Sequence, residues 1–444
     1  VTKAPAAQPQ RARIRAAAER SGIVAFGTLL FFTLFAGDFW RNLISWPAYL
    51  VLVFALAVIS GVLAVRLRPA FNWRRIPRML ALFVVVIVLS IAWSVYPGAS
   101  ALGVLSTVAT GTGAVFLALC LDWSQLLRAL ANAFRWILGL SFAFELIVSL
   151  FVRRPVIPLF PMFTMPADGK IPQAFYWSRD LLFHGGQIQG ILGNSNLLAM
   201  VALLALAVFG VQLADRTVRR GAGITWLVVA LAALALTRSS TVILAGLFTV
   251  VVLVFALWTR RRAADRRLPI YLTAVGLIVV VGGLIAVFAS RIPTIFGKSE
   301  DLTGRLDIWH KVIELAQQRP AFGWGWVSYW APWVYPFDGL AVRNKVTYLQ
   351  AHNAWLDVWL QIGIVGLVVF ILLVLTTFRR TWFFAVDKPR DGVVDDKPFT
   401  ALTLFPLLVL AAFVAQSFAE SRLLIEAGFT LLVVFSVKTK QAAP

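Results

Sequence analysis

Residues 350–378, QAHNAWLDVWLQIGIVGLVVFILLVLTTF, decide the fold. Residues 358–378 are a mostly apolar run of the length that crosses a bilayer, about 20 residues. The first half closes a long polar segment, and His352, one of only three histidines in the chain, stands beside Asn353 where polar sequence turns apolar. An imidazole at such a boundary exchanges a proton near neutral pH. Gly363 and Gly366 beneath it suit close packing by another helix. If the chain is an enzyme, His352 is the first residue to suspect.

Runs of the same kind recur outward in both directions, near 22–37, 44–65, 79–94, 100–120, 136–152, 194–213, 224–237, 240–258, 269–289, 399–416 and 424–437. With 358–378 they make about twelve. Hydrophobic residues are 60% of the 444 and charged residues 14%, where a soluble domain carries roughly a quarter charged; mean hydropathy is +0.83. The expectation is an all-α polytopic membrane protein, with residues 1–444 forming one integral membrane domain and no internal repeat. Residues 1–20 read as a basic tail with Arg11, Arg13, Arg15 and Arg20, rather than as a cleavable signal peptide. The single cysteine, Cys120, excludes a disulfide within this sequence and a cysteine-based metal site.

Orientation follows from the basic residues. Most of the 41 lysines and arginines fall in the tail, in the linkers around Arg66–Arg78, Arg128–Arg135, Arg216–Arg220, Arg260–Arg267 and Arg379–Lys397, and at Lys438 and Lys440. That set reads as the cytoplasmic side, with both ends of the chain on it. The net charge of +21 is then anchoring against anionic membrane lipid and needs no nucleic-acid partner. Two long loops face outward, 153–193 and 290–357, and long loops are where function concentrates.

The second loop carries an amphipathic helix over 304–318, with Leu306, Trp309, Ile313 and Ala316 at helical spacing and Arg305 in its first turn. Helix N-termini favour anions. Pro320 ends the helix, and an aromatic segment follows from Trp324 and Trp326 to Phe337. A tight turn at Thr237-Arg238-Ser239-Ser240-Thr241 lies on the same side. An arginine at that depth among small hydroxyl residues suggests an anion site; a snorkelling interfacial arginine is the alternative. Arg238, Arg305 and His352 thus share one face of the membrane. Two guanidiniums clamp a diphosphate through charge-assisted bonds, and an imidazole beside them takes a proton from an attacking hydroxyl. The combination reads as transfer chemistry at a phosphorylated lipid carrier.

These residues resemble the O-antigen ligases and the wider ligase/polymerase superfamily of bacterial surface-glycan assembly. The family pattern is His followed by Asn or Ser, nine residues, then Gly-x-x-Gly; His352, Asn353, Gly363 and Gly366 fit it, and Leu367 departs from the Thr or Val that follows. Arg238 in Thr237-Arg238-Ser239 and Arg305 in Gly304-Arg305-Leu306-Asp307-Ile308-Trp309 match the family's two arginine motifs. Pro320-Ala321-Phe322-Gly323-Trp324-Gly325 matches its Pro-x-x-Gly-x-Gly, and Gly193-Asn194-Ser195-Asn196 its Asn-containing helix start.

The resemblance implies a GT-C-like, metal-independent glycosyltransferase of the bacterial cytoplasmic membrane. Such an enzyme moves a glycan from a polyprenyl diphosphate such as undecaprenyl diphosphate onto a glycan or glycolipid acceptor, with no cofactor. In it Arg238 and Arg305 hold the diphosphate, and His352 serves the acceptor hydroxyl. The outer loops agree in having no Asp-x-Asp. Asn353, Trp324, Trp326, His184, Arg179 and Asn194 are further candidates for substrate contact, with Arg343 and Lys345 as charges that widen an anionic-substrate surface. Glu145, inside an apolar run, is either functional or a bond between helices. A polymerase of lipid-linked repeats and a transporter or flippase of lipid-linked glycans are the rival readings.

Overall fold

The computed structural model describes residues 10–161, 171–288, 300–343, 346–388, 390–391, 395–396 and 398–441. It is a helical bundle, as the composition requires: backbone amides in hydrocarbon have no water to bond, so a spanning segment satisfies them internally as a helix. The helices are α1 Gln10–Phe35, α2 Gly37–Ile44, α3 Trp46–Leu67, α4 Arg78–Leu89, α5 Pro97–Cys120, α6 Trp123–Ile147, α7 Ser195–Ala214, α8 Arg220–Thr237, α9 Ser240–Arg260 and α10 Leu268–Phe288. Then follow α11 Glu300–Gln318, α12 Ala354–Val386, α13 Phe405–Gln416 and α14 Glu426–Gln441. Among the described residues, β-structure is confined to two hairpins of two-residue strands and one isolated bridge.

Each of the twelve apolar runs contains a helix, but they are not twelve equal spans. Among the described residues eight helices are long and apolar enough to cross a membrane, and α1 with α2 makes a ninth as a pair bent by 77°. The segments Arg78–Trp93 and Leu402–Gln416 are shorter, as is α14 with 16 residues. Burial explains the difference. Nearly every residue of α13 and α14 is buried, so these two form the centre of the bundle and meet little lipid. By contrast α10 exposes Leu272, Val275, Ile278 and Val279 along its length, a face with no partner among the described residues that suits hydrocarbon.

Local chemistry sets the helix ends. Asp122 and Gln125 form a reciprocal capping box at the start of α6, and Asn194, Ser239 and Asn353 cap α7, α9 and α12 through side-chain oxygens. Such caps satisfy amide donors that a helix leaves orphaned. Arg238 ends α8 in the left-handed region at φ 50°. The two-residue α8–α9 connection this creates leaves the arginine at the very tip of the turn.

The amphipathic helix exists, with two corrections to its sequence reading. It begins at Glu300, so Arg305 lies in the second turn and the favourable end of the helix dipole is not its setting. Its buried face runs through Ile308, Val312 and Ala316, with Leu306, Trp309 and Ile313 half-buried beside it. The helix is therefore rotated from the predicted stripe. Its face packs on α12, so protein contact set the register.

α12 is broken where the opening stretch carries its glycines. Ile362 and Gly363 leave helical geometry, with Gly363 at φ 68°. The segment 320–325 fills the gap: Trp324 N and Gly325 N donate to Leu360 O (3.0 Å) and Gln361 O (2.8 Å), while Ile364 N and Val365 N donate to Pro320 O (2.8 Å) and Ala321 O (3.2 Å). Non-helical backbone at such depth is tolerated when protein satisfies it. A Cβ on Gly323 would lie 2.6 Å from the Gln361 carbonyl, and one on Gly363 would lie 2.2 Å from Ala321 O. The two glycine motifs, remote in sequence, are therefore the two sides of one contact. That corrects the expectation of a second helix packing on Gly363; Gly366 instead receives the Ile362 side chain.

Candidate active site

Arg305 and His352 meet at a carboxylate that the sequence reading did not single out. Glu420 lies in the short connection between α13 and α14. Its Oε1 accepts from Arg305 Nη2 at 3.0 Å, and its Oε2 accepts from His352 Nδ1 at 2.9 Å and from Gln350 Nε2 at 3.1 Å. Glu420 is 5% exposed. Burial alone would raise its carboxyl, but the neighbouring His352 and its hydrogen bond, with Arg305 and Arg422 nearby, outweigh burial and bring it down to about 2. An ionised carboxylate only accepts hydrogen bonds, so it holds the imidazole with its proton on Nδ1. Nε2 of His352 is buried and has no hydrogen-bond partner among the described residues. The arrangement leaves a bare lone pair facing inward, as a general base requires.

Arg305 reaches Glu420 because α11 presents it and Trp309 on one face, four residues apart. Trp309 Nε1 donates to Ala351 O at 3.0 Å, so the Gly-Arg-x-x-x-Trp motif grips both Glu420 and the residue before His352. Ala351 N in turn donates to Asp357 Oδ2 at 3.1 Å. Asp357 also accepts from Trp330 Nε1 (2.7 Å) and Gln361 Nε2 (3.0 Å). His352 itself sits in the left-handed region at φ 50°, a conformation a non-glycine residue holds only when its surroundings impose it. The ring of Tyr348 lies edge-on to the imidazole at 5.3 Å.

Arg305 Nη1 donates to Thr241 Oγ1 at 3.2 Å, which brings in the Arg238 turn. Ser239 Oγ donates to Asn196 Oδ1 at 2.7 Å, tying that turn to the start of α7. The Arg238 side chain is exposed, and among the described residues none pairs with it. Opposite it stands a turn of the first loop: a Cβ on Gly185 would lie 3.9 Å from Arg238 Nη2. The two arginines thus differ in kind. Arg305 is half-buried and braced by two partners, whereas Arg238 is exposed and unpaired among the described residues.

The remaining candidates divide by what they touch. His184, next to Gly185, is exposed and its Nδ1 lies 2.9 Å from Asp180 O, which leaves it beside the Arg238 side of the site. Arg179 donates to Gln173 Oε1 at 3.3 Å on the same loop. Asn194 and Asn353 spend their side-chain oxygens on helix caps, and Asn353 Nδ2 donates to Phe418 O at 3.3 Å. Trp324 and Trp326 are a correction. Both are buried, with indole N–H groups given to Leu315 O and Thr107 Oγ1, each at 2.9 Å. Trp326 ties the loop to α5 and Trp324 ties it to α11, and neither offers an open ring to a sugar. Lys345 lies outside the described residues, as does the side chain of Arg343. Glu145 is a bond within the protein: it accepts from Gln189 N, Gly190 N and Ser178 Oγ and so pins the first loop to α6.

A second buried ion cluster supports the Glu420 turn. Arg422 donates to Tyr329 Oη (2.9 Å) and Glu426 Oε2 (3.0 Å), and Glu426 Oε1 accepts from Arg41 and Tyr49, each at 3.0 Å. Such paired, hydrogen-bonded charges fix geometry better than they add stability. The signal for Glu420 was in the sequence all the same. Residues 416–422, Gln-Ser-Phe-Ala-Glu-Ser-Arg, are a polar turn between two apolar runs, and the topology puts it on the side of His352.

Residues 224–371 match the O-antigen ligase family model. Arg238, Arg305, His352 and both glycine motifs fall inside that range, whereas Glu420 lies beyond it. The exopolysaccharide production protein ExoQ of Rhizobium meliloti (strain 1021) is 27% identical over 140 residues, which are 30% of this chain and 32% of that relative. The similarity thus spans about a third of either protein. At residues 224–371 this chain carries the region of the O-antigen ligase family, the family its arginine, histidine and glycine motifs resemble.

Proposed function

We propose that this chain is a glycosyltransferase moving an oligo- or polysaccharide from a polyprenyl diphosphate onto an acceptor glycan at the outer face of the cytoplasmic membrane. The observation that carries the reading is the Arg305–Glu420–His352 chain beside the open guanidinium of Arg238. One arrangement supplies both cations for a diphosphate and a base whose Nε2 lone pair is not spent on a protein donor among the described residues. Basic loops at the opposite end of the bundle support this orientation. So does the similarity to a protein of exopolysaccharide production, which favours a saccharide donor.

In the step itself, the acceptor hydroxyl gives its proton to His352 Nε2 as its oxygen forms a bond to the anomeric carbon of the donor. The bond from that carbon to the diphosphate oxygen breaks, and the electron pair leaves with the diphosphate. Arg238 binds the developing charge from the mouth and Arg305 from within. Glu420 stabilises the imidazolium that forms, as the buried carboxylate of a catalytic triad does. Charged groups concentrate at the two ends of the bundle rather than along a midplane path, which favours surface chemistry over transport.

The test uses purified protein in nanodiscs with a polyprenyl-diphosphate oligosaccharide, with and without an acceptor glycan, and chelator present. A single product that needs the acceptor supports a ligase. A ladder grown from donor alone keeps the chemistry and identifies a polymerase. Absence of any glycan transfer with every acceptor tried overturns the proposal.

A further inference from the structure

At the other end of the bundle, α1, α6 and α8 leave a groove of about 770 Å³ between them. Leu29, Phe32 and Gly139 line it, and Trp136 and Trp226 form its walls. It opens on the outside of the bundle: Trp136 is 61% exposed and Leu29 42%. Its one charged wall is Arg135. That guanidinium donates to Asn132 Oδ1 at 2.8 Å and Gln212 Oε1 at 2.6 Å and lies 5.2 Å from the centre of the Phe209 ring. All three partners are neutral. Among the described residues no carboxylate pairs with Arg135, although a half-buried cation ordinarily has one.

Arg135 has five N–H donors, and the two bonds above leave the rest for a ligand. Arg128 lies two helical turns earlier on the same face of α6 and is exposed. Gln212 is close to the end of α7, so Arg135 sits near the bundle end where headgroups begin. A cation without a counter-ion, at headgroup level, above an apolar groove with tryptophan walls fits a molecule with an anionic head and hydrocarbon tails.

We propose that this groove binds an anionic phospholipid, with its phosphate on Arg135 and an acyl chain between Trp136 and Trp226. The site is separate from the His352 cluster and is independent of the function proposed above. Guanidinium–phosphate recognition holds the head. Gly139 keeps the tail channel open, because a Cβ there already reaches 3.8 Å from Trp226.

The experiment is native mass spectrometry of the purified, delipidated full chain, titrated separately with phosphatidylglycerol, phosphatidylcholine and a phosphate-free polyprenol. The wild type is expected to retain one phosphatidylglycerol in preference to the other two. Arg135→Gln should weaken that binding about tenfold or more, the worth of a charge-assisted contact, and Arg135→Lys less. Gly139→Leu should block it with the arginine in place, and it carries the test if Arg135→Gln does not fold. Unchanged phosphatidylglycerol binding in the variants, or phosphatidylcholine or polyprenol held equally well by the wild type, overturns the proposal.

Discussion

His352 Nδ1 lies 2.9 Å from Glu420 Oε2, and Arg305 Nη2 lies 3.0 Å from the other oxygen of the same carboxylate. Three segments remote in sequence, the α11 helix, the start of α12 and the α13–α14 turn, therefore converge on one buried anion. Moving any one of them disturbs the other two. The consequences are separable by mutation.

Glu420→Gln should reduce glycan transfer about 10²–10⁴-fold, the range for a lost or misdirected acid–base group. The amide presents a donor to Nδ1 as readily as an acceptor, so the proton can move to Nε2 and block the base. Glu420→Asp should recover part of the rate. Steady-state rates of the two variants, at equal folded fraction, check this.

The same carboxylate gives a pH signature. Glu420 is held at about 2 in the folded protein, below the ordinary 4.5 of the unfolded chain. A depressed folded value means the stabilisation is complete above the unfolded value. It is lost as pH falls from about 4.5 toward 2. Thermal melting of the detergent-purified wild type should therefore weaken across that window. Glu420→Gln should start less stable at neutral pH and lose less on acidification.

Arg305→Lys should fail where Arg238→Lys keeps more activity. Arg305 bonds Thr241 and Glu420 with separate nitrogens, a fork that an ammonium does not reproduce. Arg238 is exposed, and in the proposed function it serves as a charge, which lysine retains. A loss of at least tenfold is expected in the first variant, with a smaller loss, felt mainly in donor KM, in the second.

Gly363→Ala and Gly323→Ala should each destabilise the fold, because both positions combine positive φ with backbone within 2.6 Å of an added Cβ. Strain alone costs about 1–3 kcal/mol, and the clash adds to it. Gly282→Ala, with nothing within 4 Å of its Cβ, should melt like the wild type. Melting curves of the three variants decide the point.

Much of this was legible in the sequence because hydrocarbon imposes so few solutions. An apolar run of the right length becomes a helix whatever its neighbours, so all twelve runs did. What length could not show is which helices meet lipid and which fill the centre, as α13 and α14 do. Arg238 and His352 were readable because polar residues at the end of apolar runs are conspicuous, and Arg305 because it falls in an amphipathic stretch of a long polar loop. Glu420 was equally conspicuous in type, yet its value lies in a pairing across 68 residues to His352 and 115 to Arg305, which no periodicity carries. Trp324 and Trp326 show the converse. An aromatic segment in a loop reads alike whether its rings face sugar, membrane or protein, and only burial distinguished them. The register of α11 was misread for a related reason: its partner is α12, and the face that packs is chosen by the contact.

The most direct measurement is single-turnover transfer from a polyprenyl-diphosphate glycan by the wild type and by His352→Ala, at saturating donor and with donor binding measured separately. The account predicts transfer slowed about 10²–10⁴-fold with donor binding largely retained, since Arg238 and Arg305 are untouched. Equal transfer rates in the two proteins would contradict it.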